Sequence, residues 1–179
     1  MELSIGQKVS YPGQGVCEVE MIETRNIGGM TIKCCLLRVV GDSSHILVPM
    51  ANAETVGIRS VISSSQCRRL ISKLAEDFEE ISPDWKMRSK QFTEKLQSGD
   101  VFEAADVLKK LTFLSHGKKL SFREQTLLEK AKHLLVSEIA NANEGKTDAI
   151  ETRISELVEL ACTKHELTHP VMAQTATAH

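Results

Sequence analysis

The side chains in this chain that could do chemistry are scattered, and none of their spacings completes a catalytic set. Gly13-Gln14-Gly15 is a lone glycine fragment, without the strand-GxGxxG-helix context or the downstream acid of a dinucleotide site. No GxxxxGK[ST] stretch occurs to cradle phosphates. Glu129, His133 and Glu138 share one segment but form no HExxH zinc motif. His165 and His169 stand at i and i+4, a spacing that suits a metal ion on a helix. They fall beside Pro170 on what reads as an unstructured tail, and no cysteine or carboxylate completes the set in sequence, so no metal site is expected. The run Glu76-Asp77-Phe78-Glu79-Glu80 reads as a solvated acidic helix face. Cys17, Cys34, Cys35, Cys67 and Cys162 are odd in number and lack CxxC spacing. On a strand, adjacent Cys34 and Cys35 point to opposite faces, so buried reduced thiols are expected. Neither enzyme chemistry nor a cofactor is indicated.

One stretch stands out for binding. SPDWKMRSK places Trp85, the sole tryptophan, beside Lys86, Arg88 and Lys90. Two readings compete. On a helix, Trp85, Phe92 and Leu96 lie within about 20° of one another, as a core stripe would. Against this, Trp85 falls in a first turn, where its ring can project past the helix end. Arg68, Arg69 and Lys73 on the preceding helix could fold back close by. The free N–H groups of the helix start also favour a phosphate, although Asp84 works against that. An aromatic ring flanked by cations can replace lost base stacking while the cations hold the backbone.

The elements that must position this stretch change period partway along the chain. KVSYP, VCEVEMIETR, MTIKCCLLRVV and SHILVP read as strands. Val16, Glu18, Glu20 and Ile22 are expected on one face of the second, with Cys17, Val19 and Met21 on the other. Gly28-Gly29 marks a tight hairpin and Gly41-Asp42 a second reversal. Short strands joined by tight turns within sixty residues imply a small SH3-like or Tudor-like barrel. From Ser63 the pattern becomes helical, first to about Ile81. Ser82-Pro83 then reads as an N-cap and first helical residue for a helix to about Ser98. Further helices are expected from about Asp100 to Gly117, Ser121 to Asn143, and Thr147 or Asp148 to about Lys164. The predicted fold is α+β: a β-barrel over 1–60, a five-helix bundle over 61–163, and a disordered tail over 164–179.

Charge constrains the partners. The net charge is −2, but residues 61–130 hold 13 Lys/Arg against 11 Asp/Glu, the one segment with a positive excess. Such a patch can engage a few phosphates and not a long duplex, so recruitment by another protein is expected. MELSIGQKVS lacks the order of a signal peptide and no apolar run nears ~18 residues, which makes a cytoplasmic protein the default expectation.

Several stretches occur in an order that resembles a known family. YPGQGVCEV, IETRNI with its Gly-Gly turn, ILVPMANAETVGIR, SPDWKMRSK, KLQSGDVFEAADVLKKL and LSFREQTLLEKAKHLLVSEIA resemble the CarD/CdnL family of bacterial transcription regulators, from about residue 3 to about residue 162. The resemblance implies a Tudor-like domain that binds the β subunit of RNA polymerase and a helical domain that contacts promoter DNA. The polymerase-binding module also occurs in transcription-repair coupling factors, but this chain has no P-loop or motor. In the family, the tryptophan matching Trp85 wedges into the minor groove at the upstream edge of the melted bubble and stabilises the open complex. Arg88 and Lys90 match the family's basic residues, and Lys86 joins them in the expected DNA contact. Met87 stands where arginine is frequent, and Ser89 where an aromatic is usual. On the polymerase side, Ile46 to Pro49 match the family's contact strand and Arg25 a basic contact residue. Leu47 occupies a position that is arginine in some members and apolar in others. The competing function is an interaction adaptor without DNA contact, in which Trp85 is buried.

Overall fold

The computed structural model describes residues 2–143 and 145–170. Five strands form one antiparallel sheet: β1 (Lys8–Tyr11), β2 (Gly15–Ile27), β3 (Met30–Val39), β4 (His45–Pro49) and β5 (Arg59–Ser60). Their spatial order is β4-β3-β2-β1-β5. No ladder joins β4 to β5 among the described residues, so the expected barrel is present as a five-stranded sheet. Gly28 and Gly29 have φ of 59° and 81°, the paired positive values that the β2–β3 hairpin requires.

A bulge in β2 corrects the expected alternation. Val19 pairs with Leu37, but Met21 pairs with Leu36, so Glu20 is an extra residue. Every side chain beyond it therefore changes face. Ile22 joins Cys17 and Val19 over the core of Val9, Cys35, Leu37, Val39 and Val48. Met21 is turned outward and exposed instead.

A 3-10 turn (Met50–Asn52) and a one-turn helix, α1 (Ala53–Val56), lead from β4 into β5. Five longer helices follow: α2 (Ser64–Leu74), α3 (Trp85–Gln97), α4 (Val101–Gly117), α5 (Phe122–Asn143) and α6 (Thr147–Thr168). Helix α4 is central, burying Val101, Ala104, Ala105, Val107, Leu108 and Leu111. Its neighbours contribute Leu70, Leu74, Phe92, Leu96, Leu135, Ile139, Ile154 and Val158 to the same core.

Two helix ends differ from the sequence reading. Helix α2 stops at Leu74 and not near Ile81. Four acids between Glu76 and Glu80 oppose the negative C-terminal end of the helix dipole. Two lysines donate to carbonyls there: Lys109 Nζ to Lys73 O (2.9 Å) and Glu76 O (3.2 Å), and Lys164 Nζ to Ala75 O (2.6 Å). Helix α6 runs on to Thr168, past the expected start of the tail at 164, because His165 is buried against Phe78 and Phe113. The remainder of that tail, 171–179, lies outside the described residues.

Sheet and bundle meet at a closed seam made by the YPGQG segment. Val16 N–H donates to Ser137 Oγ (2.9 Å). A Cβ on Gly15 would stand 3.0 Å from the same oxygen, with φ of 90° besides. Pro12 sits between Gly57 and Gly99, at whose positions a Cβ would approach its ring within 3.1 and 3.2 Å. Glu138, 2% exposed, accepts from Arg59 Nη2 (2.6 Å) and Ile62 N (3.1 Å). The glycines that fail as a nucleotide motif thus serve close packing between the two halves.

Candidate functional site

Trp85 opens helix α3. Its N-cap is Asp84, two residues later than Ser82, and the Asp84 carboxylate accepts from Lys86 N (2.8 Å) and Met87 N (3.4 Å). Those donors are therefore engaged, and the helix start is no open phosphate site. The indole is 62% exposed although Phe92 and Leu96 on the same stripe are buried. The stripe enters the core at Phe92, about two turns after Trp85, so the ring clears the bundle. Lys86 Nζ lies 5.7 Å from the ring centroid, in cation–π range.

Arg88, expected among the DNA-gripping cations, is 5% exposed and bound internally. Its Nη1 donates to Ser82 O (2.8 Å) and Pro83 O (3.2 Å), and its Nη2 to Glu124 Oε1 (3.0 Å) at the start of α5. These bonds fix the two residues before the N-cap and explain why the helix cannot begin at Pro83. Glu124 also accepts from Ser121 N and Oγ (3.0 and 2.9 Å), the capping box of α5. Burial raises the Glu124 pKa, but the Ser121 and Arg88 hydrogen bonds and the Lys118 charge outweigh it and hold the carboxyl at about 2. Arg88 is thus a positioning residue under Trp85. Lys90 is 77% exposed, with only a long 3.9 Å approach to Glu94, and remains available to a phosphate.

The basic surroundings of Trp85 also differ from expectation. Arg69 lies over the Phe102 ring (5.2 Å) near the far end of α3, and Lys73 pairs with Glu76. The Arg88–Glu124 pair ties α3 to the start of α5 instead, where Lys118 Nζ also approaches Glu124 (3.9 Å). Phe122 is the most exposed large apolar side chain among the described residues. The capping box Ser121-x-x-Glu124 located this helix start in the sequence, but nothing there linked it to Trp85.

The expected docking strand, β4, is a sheet edge. It pairs only with β3 among the described residues, Leu36 opposite Leu47 and Cys34 opposite Pro49. Residues directly opposed share a face, as do residues two apart. Leu47 and Pro49 therefore share a face with Leu36 and Ile32, and across β2 with Met21, Glu23 and Arg25. Arg25 is exposed there and contacts the Glu23 carboxylate. Ile46, the fourth expected contact residue, packs inward on the sheet core. Met21 was missed because the bulge that turns it outward has no glycine to announce it.

All five cysteines are free and buried. Burial pushes the Cys17 thiol up to about 11 and that of Cys162, beside Glu159 and Glu166, to about 12. Both are protonated at neutral pH and poor nucleophiles.

Residues 3–62 match the CarD-like/TRCF RID domain, and residues 69–155 match the CarD C-terminal domain. The chain is similar to the Bacillus subtilis (strain 168) protein YdeB, named for a proposed role as a transcription factor. The two are 24% identical over 135 residues, covering 75% of this chain and 88% of that one. The solution NMR structure of the 72-residue N-terminal domain of Myxococcus xanthus CarD aligns at 30% identity and a TM-score of 0.30, covering 33% of this chain and 79% of that one. With its two halves matching the two CarD domains in order, the chain belongs to the CarD/CdnL family of bacterial transcription regulators.

Proposed function

We propose that this protein docks on the β subunit of RNA polymerase through the β4 edge and stabilises the open promoter complex with Trp85. The carrying observation is that a lone tryptophan stays 62% exposed on a mount fixed by buried hydrogen bonds. Wedged into the minor groove at the upstream edge of the bubble, the ring would replace stacking lost on melting. Lys86 and Lys90 would hold the adjoining phosphates, while Arg88 keeps the helix start in place. Binding alone accounts for activation of this kind, because a protein that prefers the open complex shifts the equilibrium by its differential affinity. No catalytic step is needed, and association with the nucleoid would follow from polymerase binding.

At the other end, β4 offers backbone groups unpaired among the described residues, and the Tudor-like role of the sheet would be strand addition. Leu47, Pro49 and Arg25 would set register, with Met21 and Leu36 extending the apolar face. The exposed indole counts against an adaptor in which Trp85 is buried. The deciding experiment compares wild type with Trp85→Ala for polymerase pull-down and for open-complex lifetime after heparin challenge. The expected result is retained pull-down and shortened lifetime; a folded variant with unchanged lifetime removes the wedge.

A further inference from the structure

We propose that Asp77, His165 and His169, with Glu80 beside them, form a binding site for a divalent transition-metal ion, Zn²⁺ foremost, at the C-terminal end of helix α6. The sequence spacing of the two histidines suits a metal, but their place on a presumed tail had excluded it. The fold removes both objections. Helix α6 reaches Thr168, and His169 is its C-cap, with its N–H on His165 O (2.8 Å). Both imidazoles therefore stand one turn apart on one face. The missing carboxylates come from the segment between α2 and α3, 88 residues earlier for Asp77.

The donor geometry is near what a metal requires. One donor atom each from Asp77, His165 and His169 lie within 4.8 Å of one another. Asp77 Oδ1 is 2.7 Å from His165 Nδ1, and Glu80 Oε1 is 3.6 Å from His169 Nδ1. Ligand atoms around a tetrahedral zinc ion are about 3.4 Å apart, given bonds of about 2.0–2.1 Å. The present separations straddle that value, so small side-chain rotations suffice. The inner two ligands are already fixed. His165, 5% exposed, stacks on Phe78 with ring centroids 4.0 Å apart and meets Phe113 edge-on. Asp77 accepts from Phe78 N (2.7 Å). His169 and Glu80 are at the surface, which gives the ion an entry path.

Two imidazoles with carboxylate oxygens suit Zn²⁺, Ni²⁺, Co²⁺ or Cu²⁺ and not Mg²⁺ or Ca²⁺. A second grouping, His116, Glu159 and Cys162, is poorer. Cys162 Sγ is turned toward Lys109 O (3.8 Å), away from a surface ion. The consequence of a filled site is a cross-link between α6 and the segment that ends at Asp84.

The test uses the full chain, dialysed against a chelator. Zn²⁺ titration by calorimetry should give one saturable site, and Zn²⁺ should raise Tm where Mg²⁺ and Ca²⁺ do not. Co²⁺ should add visible d–d absorption bands without thiolate charge-transfer bands. His169→Ala and Glu80→Gln, both at surface positions, keep the fold testable, and Asp77→Asn preserves the size of the half-buried ligand. His169→Ala and Asp77→Asn should each weaken Zn²⁺ at least tenfold. The proposal is overturned by the absence of saturable Zn²⁺ binding, or by wild-type affinity in both variants, which would place the ion on thiols or on another histidine.

Discussion

The helix start at Trp85 and the edge strand β4 present themselves to partners in opposite ways. At Trp85 the backbone groups are engaged: Asp84 holds two N–H donors and Arg88 holds two carbonyls, so only the side chain is on offer. At β4 the outer backbone edge has no ladder partner among the described residues, while Val48 is locked in the core. A wedge needs a ring held at a fixed angle, because its gain comes from stacking geometry. A docking edge needs free donors and acceptors in register. The buried ionic scaffold therefore belongs under the tryptophan and would be misplaced under the strand.

The strongest way to break the contrast is to remove the scaffold while leaving Trp85, the proposed wedge. Arg88→Ala leaves Glu124 without its main charged partner and frees two carbonyls, so urea denaturation should show a loss of about 3 kcal/mol. It should also shorten open-complex lifetime although Trp85 is intact, whereas a direct phosphate role predicts little loss of stability. Leu47→Asp should act only on the other region. It should abolish polymerase pull-down with Tm nearly unchanged, because Leu47 points away from the core. Trp85→Ala should leave stability and pull-down alone while costing ~1–3 kcal/mol of open-complex stabilisation, about 5- to 150-fold in lifetime. The smallest effect is expected from Lys90→Ala, a reduction of about 1 in the salt slope of promoter binding.

Acid should sharpen the same contrast. The Glu124 carboxyl titrates lower in the folded chain, at about 2, than at its ordinary value of 4.5. Its contribution is thus fully present above about pH 4.5 and is lost as pH falls toward 2. A Glu124→Gln variant should flatten that part of the stability profile, measured by denaturation at stepped pH.

The sequence carried the order of the four longer strands and the five longer helices, but not β5 or α1, because hydrophobic period and turn residues are local signals. Gly28-Gly29 announced its hairpin, and Ser121-x-x-Glu124 announced α5. The β2 bulge at Glu20 carried no such mark, so Ile22 and Met21 were assigned to the wrong faces. The end of α2 was also hidden, since the lysines that take its last carbonyls arrive from α4 and α6. Arg88 is the same case at the site itself: a cation beside a tryptophan reads as a phosphate ligand until Glu124, 36 residues away, is brought against it.

By itself the sequence determined the two-part α+β organisation, the absence of a complete catalytic motif, and Trp85 as the residue to watch. Only the tertiary structure decided that the ring is outside, that Arg88 supports it from beneath, and that Leu47, Pro49 and Arg25 share a face. It also gathered Asp77 to His165 and His169. The reason is physical: residue type and period act over a few residues, whereas burial and charge pairing depend on which distant segments the packed core brings together.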